Sequence, residues 1–133
     1  MRVLVTGSRD WLDATRIHGA LDMARRDAER RGEDMVIIHG DCPTGADAIA
    51  DQWAQQEGVT AEPHPANWRE HGRSAGPKRN QQMVERGAEL CLAFIGDCSS
   101  PRCNRVDRHP SHGATHCAEA AEQAGIPVRR FLA

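Results

Sequence analysis

Aromatic side chains are scarce in this chain: of its 133 residues three are Trp, two are Phe and none is Tyr. That scarcity argues against a protein that holds single-stranded nucleic acid on a row of stacked rings. An excess of positive charge is missing as well. Lys and Arg number 17 against 19 Asp and Glu, a formal net charge of −2. The basic stripe of a protein that follows nucleic-acid backbones is therefore not expected, although a small phosphate ligand needs only a few local donors. No apolar run approaches the roughly 18 residues of a membrane span. Met1 and Arg2 lead straight into Val3-Leu4-Val5, too short for a signal-peptide core, so a cytoplasmic location is expected. The cysteines (Cys42, Cys91, Cys98, Cys103 and Cys117) are odd in number. In a reducing compartment that speaks against a disulfide framework and leaves free thiols or a metal site.

What remains is the balance of one folded domain. Hydrophobic residues make up 39% and charged residues 27%, and two independent cores would each be marginal at this length. Strand and helix patterns alternate along residues 1–133. Arg2-Val3-Leu4-Val5-Thr6 is a buried strand ended by Gly7, and Met35-Val36-Ile37-Ile38-His39 is a second, stopped by Gly40. Between them Ile17, Leu21, Ala24 and Ala28 keep a helical period behind a cap at Asp13 or Thr15. Ala46, Ile49, Ala50, Trp53 and Ala54 mark the buried stripe of a second helix, closed by Gly58. Residues 59–64, with Pro63, suit only a sheet edge. A loop is expected over 66–77, a helix over 78–86, a strand over 90–95, a polar Cys- and His-containing insert over 97–112, a helix over 114–124 and a last strand over 128–132. Such alternation with near-continuous apolar strands predicts an α/β, Rossmann-like parallel sheet of about five strands with helices on both faces. Ligands of such sheets bind beyond the carboxyl ends of the strands, where strand order reverses.

Four strings fall at that edge. Thr6-Gly7-Ser8-Arg9 follows the first strand, Gly7 permitting close backbone approach and Arg9 offering a fork of donors for phosphate. An ordinary turn explains this string equally well. His39-Gly40-Asp41-Cys42-Pro43-Thr44-Gly45-Ala46-Asp47 delivers the chain into a helix N-terminus, where free amides favour an anion. Thr44 and Asp47 also have the spacing of a local capping box. It is not a Walker loop, since the Gly-Lys-Ser/Thr ending is absent. Ala75-Gly76-Pro77-Lys78-Arg79-Asn80 sets two cations beside another helix start, an unfavourable placement unless an anion sits there. Ser111-His112-Gly113-Ala114 opens the last helix. The candidate ligand contacts are thus Gly7, Ser8, Arg9, Gly40, Asp41, Thr44, Gly45, Ala46, Asp47, Lys78, Arg79, Asn80, Ser111 and Gly113, with Trp11 and Trp68 as rings that could stack on a base.

Together these strings resemble the SLOG superfamily, and within it the small bacterial and phage branch known as the YspA or YpsA-related SLOG family. The matching positions are Thr6-Gly7-Ser8-Arg9, His39-Gly40-Asp41 with Thr44-Gly45-Ala46-Asp47, Ala75-Gly76-Pro77 with Arg79-Asn80, and Ser111 with Gly113, spread in order over nearly the whole chain. The resemblance implies a pocket for a nucleotide-derived ligand such as NAD, ADP-ribose or a related signalling nucleotide, a setting beside defence systems, and a homodimer. Relatives of the lonely-guy type cleave the base–ribose bond and carry Pro-Gly-Gly-x-Gly-Thr followed by Glu. Here no Pro-Gly-Gly precedes Gly113, Ala114 stands at the Thr position and Cys117 where the Glu would fall. Without that carboxylate, glycosidic hydrolysis loses its obvious catalyst. Binding without turnover and without a required cofactor is the expectation. A nucleotide-processing enzyme using Asp41, Asp47 or Glu119 is the alternative, and a DNA-associated module like the superfamily member DprA fits the acidic balance poorly.

Finally, Cys98-x4-Cys103-x5-His109-x2-His112 offers ligand types suited to a structural zinc, in a Pro- and Ser-rich segment with little apolar content to order itself. The spacing is not that of a standard finger, and a solvated loop with unrelated thiols accounts for it as well. Cys42 and Cys91 read as small buried residues.

Overall fold

The computed structural model describes residues 1–100 and 103–133; Pro101, part of the polar insert, lies outside the described residues. The strands are β1 (Arg2–Gly7), β2 (Val36–His39), β3 (Thr60–Pro63), β4 (Leu90–Ile95) and β5 (Val128–Leu132). They form one sheet in the order β3-β2-β1-β4-β5, and every pairing is parallel. The helices are α1 (Ala14–Arg30), α2 (Gly45–Glu57), the single-turn α3 (Trp68–His71), α4 (Ala75–Arg86) and α5 (His112–Gln123), with a 3-10 turn at Gly72–Ser74. The fold is α/β and Rossmann-like. No helix among the described residues is long and apolar enough to cross a membrane.

The apolar patterning decides which strands are central. Every residue of β4 is buried, and in β1 the alternation of its side chains feeds two separate cores. Val3 and Val5 pack with Ile17, Leu21 and Ala24 of α1 and with Ala50 and Trp53 of α2. Leu4 points the other way, into a cluster with Met83 and Val84 of α4 and Cys117 and Ala121 of α5. Two faces, each covered by a helix pair, are what a parallel sheet requires. Trp11 joins the first core by setting its ring edge-on to Phe94, 5.6 Å between centroids, so it serves packing. At the edges, β3 and β5 carry charged residues that remain partly exposed.

The expected loop over 66–77 is corrected by the structure. It holds α3, the 3-10 turn and the first turn of α4. Asn67 caps α3: its Oδ1 accepts from the Glu70 amide at 3.1 Å, while its Nδ2 donates to the Glu70 carboxylate at 2.9 Å. This reciprocal pair starts a helix without any apolar periodicity. Gly76 and Pro77 sit inside the first turn of α4, where a proline costs no intrahelical bond. Likewise α5 begins at His112, ahead of the expected start.

The amino end of β1 is tied to the edge strand and to the end of α4 by Glu62. Its carboxylate receives Arg2 at 3.1 Å, Arg86 at 2.8 Å and His64 at 2.7 Å. Arg86 foremost, then His64, hold its carboxyl far below the usual Glu range. A depressed folded-state pKa means that the contribution is complete above the ordinary Glu pKa and is lost as pH falls below it. We expect Glu62→Gln to lower stability at neutral pH by about 1 to 2 kcal/mol, and the gap from wild type to shrink towards pH 3. Urea titrations at both pH values check this; a gap independent of pH would contradict it.

Candidate functional site

The topology places the switch point between β1 and β4, because the chain runs outward from β1 through β2 to β3 and then returns to the other side of β1. At their carboxyl ends the two strands are locked by Ser8. Its amide donates to the Phe94 carbonyl at 2.9 Å, and its buried Oγ accepts from the Gly96 amide at 2.7 Å. Gly7 lies against the start of α2, where an added Cβ would come 2.4 Å from Ala46 Cβ and 2.8 Å from the Phe94 carbonyl. Gly45 has φ +72°, and a Cβ there would stand 2.2 Å from the Ser8 carbonyl. No side chain fits at either place.

Beyond this corner opens a cavity of about 970 Å³, large enough for a dinucleotide-sized guest. Its walls come from all four loop regions: Thr6 to Arg9 after β1, Gly40, Cys42 and Asp47 after β2, Gly76, Pro77, Arg79 and Asn80 on α4, and Ser111 to Ala114 at the start of α5. Of the predicted contacts, the structure brings Gly7, Ser8, Arg9, Gly40, Asp47, Arg79, Asn80, Ser111 and Gly113 to its lining. Asp41, Thr44, Gly45, Ala46 and Lys78 do not line it. Asp41 takes a left-handed φ of 56° with its amide donating to His39 Nδ1 at 3.0 Å, so it shapes the loop while its side chain stays exposed. Thr44 and Asp47 form no capping box: the Thr44 hydroxyl donates to the Arg9 carbonyl at 2.8 Å, and Asp47 Oδ2 accepts from the Cys42 amide at 3.3 Å. Lys78 is exposed and leans towards His71. Since α4 starts at Ala75, Lys78 and Arg79 lie past its first turn, and the expected clash with the helix dipole is largely absent.

Arg79 is fixed from two sides. Its Nη1 donates to the Gly40 carbonyl at 2.6 Å and its Nε to Asn80 Oδ1 at 2.9 Å. A Cβ on Gly40 would fall 2.5 Å from that Nη1, so the glycine makes room for the guanidinium. Buried Asn80 in turn reaches the Gly113 carbonyl at 3.4 Å and His116 Nδ1 at 3.3 Å, coupling α4 to the start of α5. At the rim, Arg9 stands over the half-exposed ring of Trp68, 5.4 Å from its centroid, a cation–π contact. The N-caps Thr44, Ser74 and Ser111 of the three helices whose starts border the cavity make no side-chain cap bond. Asp13 and Asn67, which head α1 and α3, both do. Of their first-turn amides, Ala46 donates to the Ser8 carbonyl at 3.3 Å and Ala75 to the Gly72 carbonyl; helix starts without a side-chain cap suit an anion.

Asp47 is the one carboxylate among the described lining residues. Burial pushes its pKa up, against the opposing influence of His39, the Cys42 amide and Arg79. Cys117, buried on α5, has its thiol pushed up to about 11 by loss of hydration, so it stays protonated. Glu119 is exposed and outside the lining. Cys42, read from the sequence as buried, is only partly so and faces the cavity. Sequence reasoning assigned no role to Arg73, Met83 or Ser99, which also line it. Arg73 sits in a polar stretch without periodicity, and the Asn67–Glu70 capping pair is the signal that places it on a helical segment facing the sheet edge.

Cys98, Cys103, His109 and His112 come together at the outer wall, their ligand atoms all within 4.8 Å of one another. Cys98 and His112 belong to the cavity lining as well.

Two comparisons bear on this arrangement. The family model described as YAcAr, the YspA, cpYpsA-related SLOG family, matches residues 1–71, which carry the first two loops of the cavity. The chain is also similar to the "Gene 61 protein" of Mycobacterium phage D29, 44% identical over 135 residues that cover 98% of this chain and 95% of that protein.

The Ser8 lock yields a direct test. Ser8→Ala leaves the Gly96 amide buried without its acceptor, which we expect to cost about 1 to 2 kcal/mol. Urea denaturation of the ligand-free protein measures it; an unchanged midpoint would show that the hydroxyl carries no structural bond.

Proposed function

This chain belongs to the YspA, cpYpsA-related SLOG family, and from that premise we propose that it binds a nucleotide-derived ligand, of the class of ADP-ribose or NAD, as a sensor or sequestering module. The observation that carries the reading is the sign of the charge in the cavity. Among the described lining residues Arg9, Arg73 and Arg79 face a single carboxylate, in a chain whose net charge is −2. Guanidinium forks and uncapped helix starts are both suited to phosphate oxygens. Trp68 at the rim supplies a flat apolar surface beside them, on which a base can stack. A diphosphate with a base at one end matches a site that is cationic within and aromatic at its edge.

One observation favours a second reading. Asp47 is buried, lines the cavity and has a raised pKa, the environment of a general acid. On that reading Asp47 protonates a leaving base during cleavage of the base–ribose bond. Asp41 and Glu119, the other carboxylates considered from the sequence, are exposed and outside the cavity.

The experiment is a thermal-shift titration with ADP-ribose and NAD, followed by chromatography of the recovered ligand. Binding without turnover predicts a rise in melting temperature that grows with ligand concentration and unchanged ligand. Release of free base would move the assignment to the Asp47 reading, and no shift with either compound would remove this ligand class. Arg9→Ala, at an exposed position, is expected to leave the ligand-free melting temperature unchanged while weakening affinity about tenfold or more.

A further inference from the structure

We propose that Cys98, Cys103, His109 and His112 form a closed structural zinc site that holds the outer wall of the cavity. Three of the four ligand atoms already have the spacing of a tetrahedral shell, and the fourth, Cys98 Sγ, lies within 4.8 Å of them. Zn–S bonds of about 2.3 Å and Zn–N bonds of about 2.0 to 2.1 Å require S···N separations near 3.5 Å and N···N near 3.3 Å. Cys103 Sγ lies 3.4 Å from His109 Nε2 and 3.5 Å from His112 Nε2, and the two Nε2 atoms are 3.2 Å apart. A hydrogen bond between the histidines accounts for one of these separations; a shared cation accounts for all three.

The protonation pattern agrees. His109 Nδ1 lies 2.7 Å from the Asp107 carbonyl. A carbonyl only accepts, so Nδ1 carries the proton and the Nε2 lone pair faces the cluster, the arrangement in which metal-bound imidazoles are held from their far side. Two thiolates neutralise a divalent ion, and a mixed sulfur and nitrogen set of four selects zinc. Four protein ligands fill the tetrahedral shell, so the ion serves as a staple and presents no water.

The segment needs one. Of the described residues in 97–111, only His109 is buried, and Val106 is fully exposed. Among the described residues its ties include the Asp97–Pro110 bridge, the Cys98 amide to the His109 carbonyl at 2.7 Å, the Cys103 amide to the Ser100 carbonyl at 3.2 Å and the Ser111 amide to the Gly96 carbonyl at 2.8 Å, and surface ion pairs such as Arg108–Asp97. Without an apolar core, a metal is the economical way to fix such a loop. His112 is also the first residue of α5, so the same ion anchors the turn Ser111–Gly113 that borders the cavity. Cys117 takes no part, buried away behind α5.

The test uses untagged full-length protein prepared under reducing conditions. Metal analysis is expected to find about one zinc per chain. Protein stripped by a chelator and titrated with Co2+ is expected to develop the intense visible bands of a tetrahedral site, with thiolate charge transfer, saturating at one equivalent and displaced by Zn2+. Cys103→Ser and His109→Ala should lose this spectrum while Cys42→Ser keeps it. Zinc below about a tenth of an equivalent together with a pale octahedral cobalt spectrum would overturn the site, as would a tetrahedral spectrum that survives in Cys103→Ser. The wild-type cobalt spectrum decides the matter even if a cysteine variant fails to fold.

Discussion

Two missing side chains at the end of β1 set the geometry on which everything else rests. Gly7 and Gly45 allow the start of α2 to lie directly on the turn after β1, and a single methyl group at either would overlap backbone or Ala46 by more than an ångström of van der Waals contact. Ser8 then closes the other side, tying that turn to the end of β4. With α2 and β4 both drawn to the tip of the central strand, the loops that follow β1, β2 and β4 have no choice but to face one another. The cavity is the space left between them.

That space is then given its charge by residues whose own positions are over-determined. Arg79 is the clearest case: the Gly40 carbonyl and Asn80 hold its guanidinium, and Asn80 is itself bonded across to α5. A side chain held this way has already given up its rotamer freedom and loses little more when an anion arrives. Arg9 is held more loosely, over Trp68, and Arg73 is exposed. A graded set of this kind suits an elongated guest with its most charged part innermost. The Cys/His cluster adds to the wall through Cys98 and His112, so a segment with little apolar core borders the cavity.

Much of this was legible in the sequence because the central strands speak in continuous apolar runs. The limits of β4 follow directly from such a run, and the start of β5 from the Gly125-Ile126-Pro127 turn ahead of it. The region 66–77 was not legible, since Trp-Arg-Glu-His has no buried stripe. Its helical start is written only in the Asn67–Glu70 pair. The same misreading shifted Lys78 into the site: once α4 begins at Ala75, the helix turns Arg79 inward and Lys78 outward. Thr44 and Asp47 illustrate a different limit. Their spacing suits a local cap, but Thr44 finds its partner across the corner that the glycines create and Asp47 turns back to the Cys42 amide of its own loop; no local rule anticipates the tertiary bond.

The most direct measurement of the central claim is an amide proton–nitrogen NMR titration of the protein with ADP-ribose. Convergence of the loops on one anionic guest predicts saturable shifts at Gly7, Ser8, Arg9, Gly40 and Gly113 together, with the amino ends of the strands, at Arg2, Val36 and Leu90, unmoved. Shifts confined to a single loop, or concentrated at the opposite end of the strands, would contradict the account.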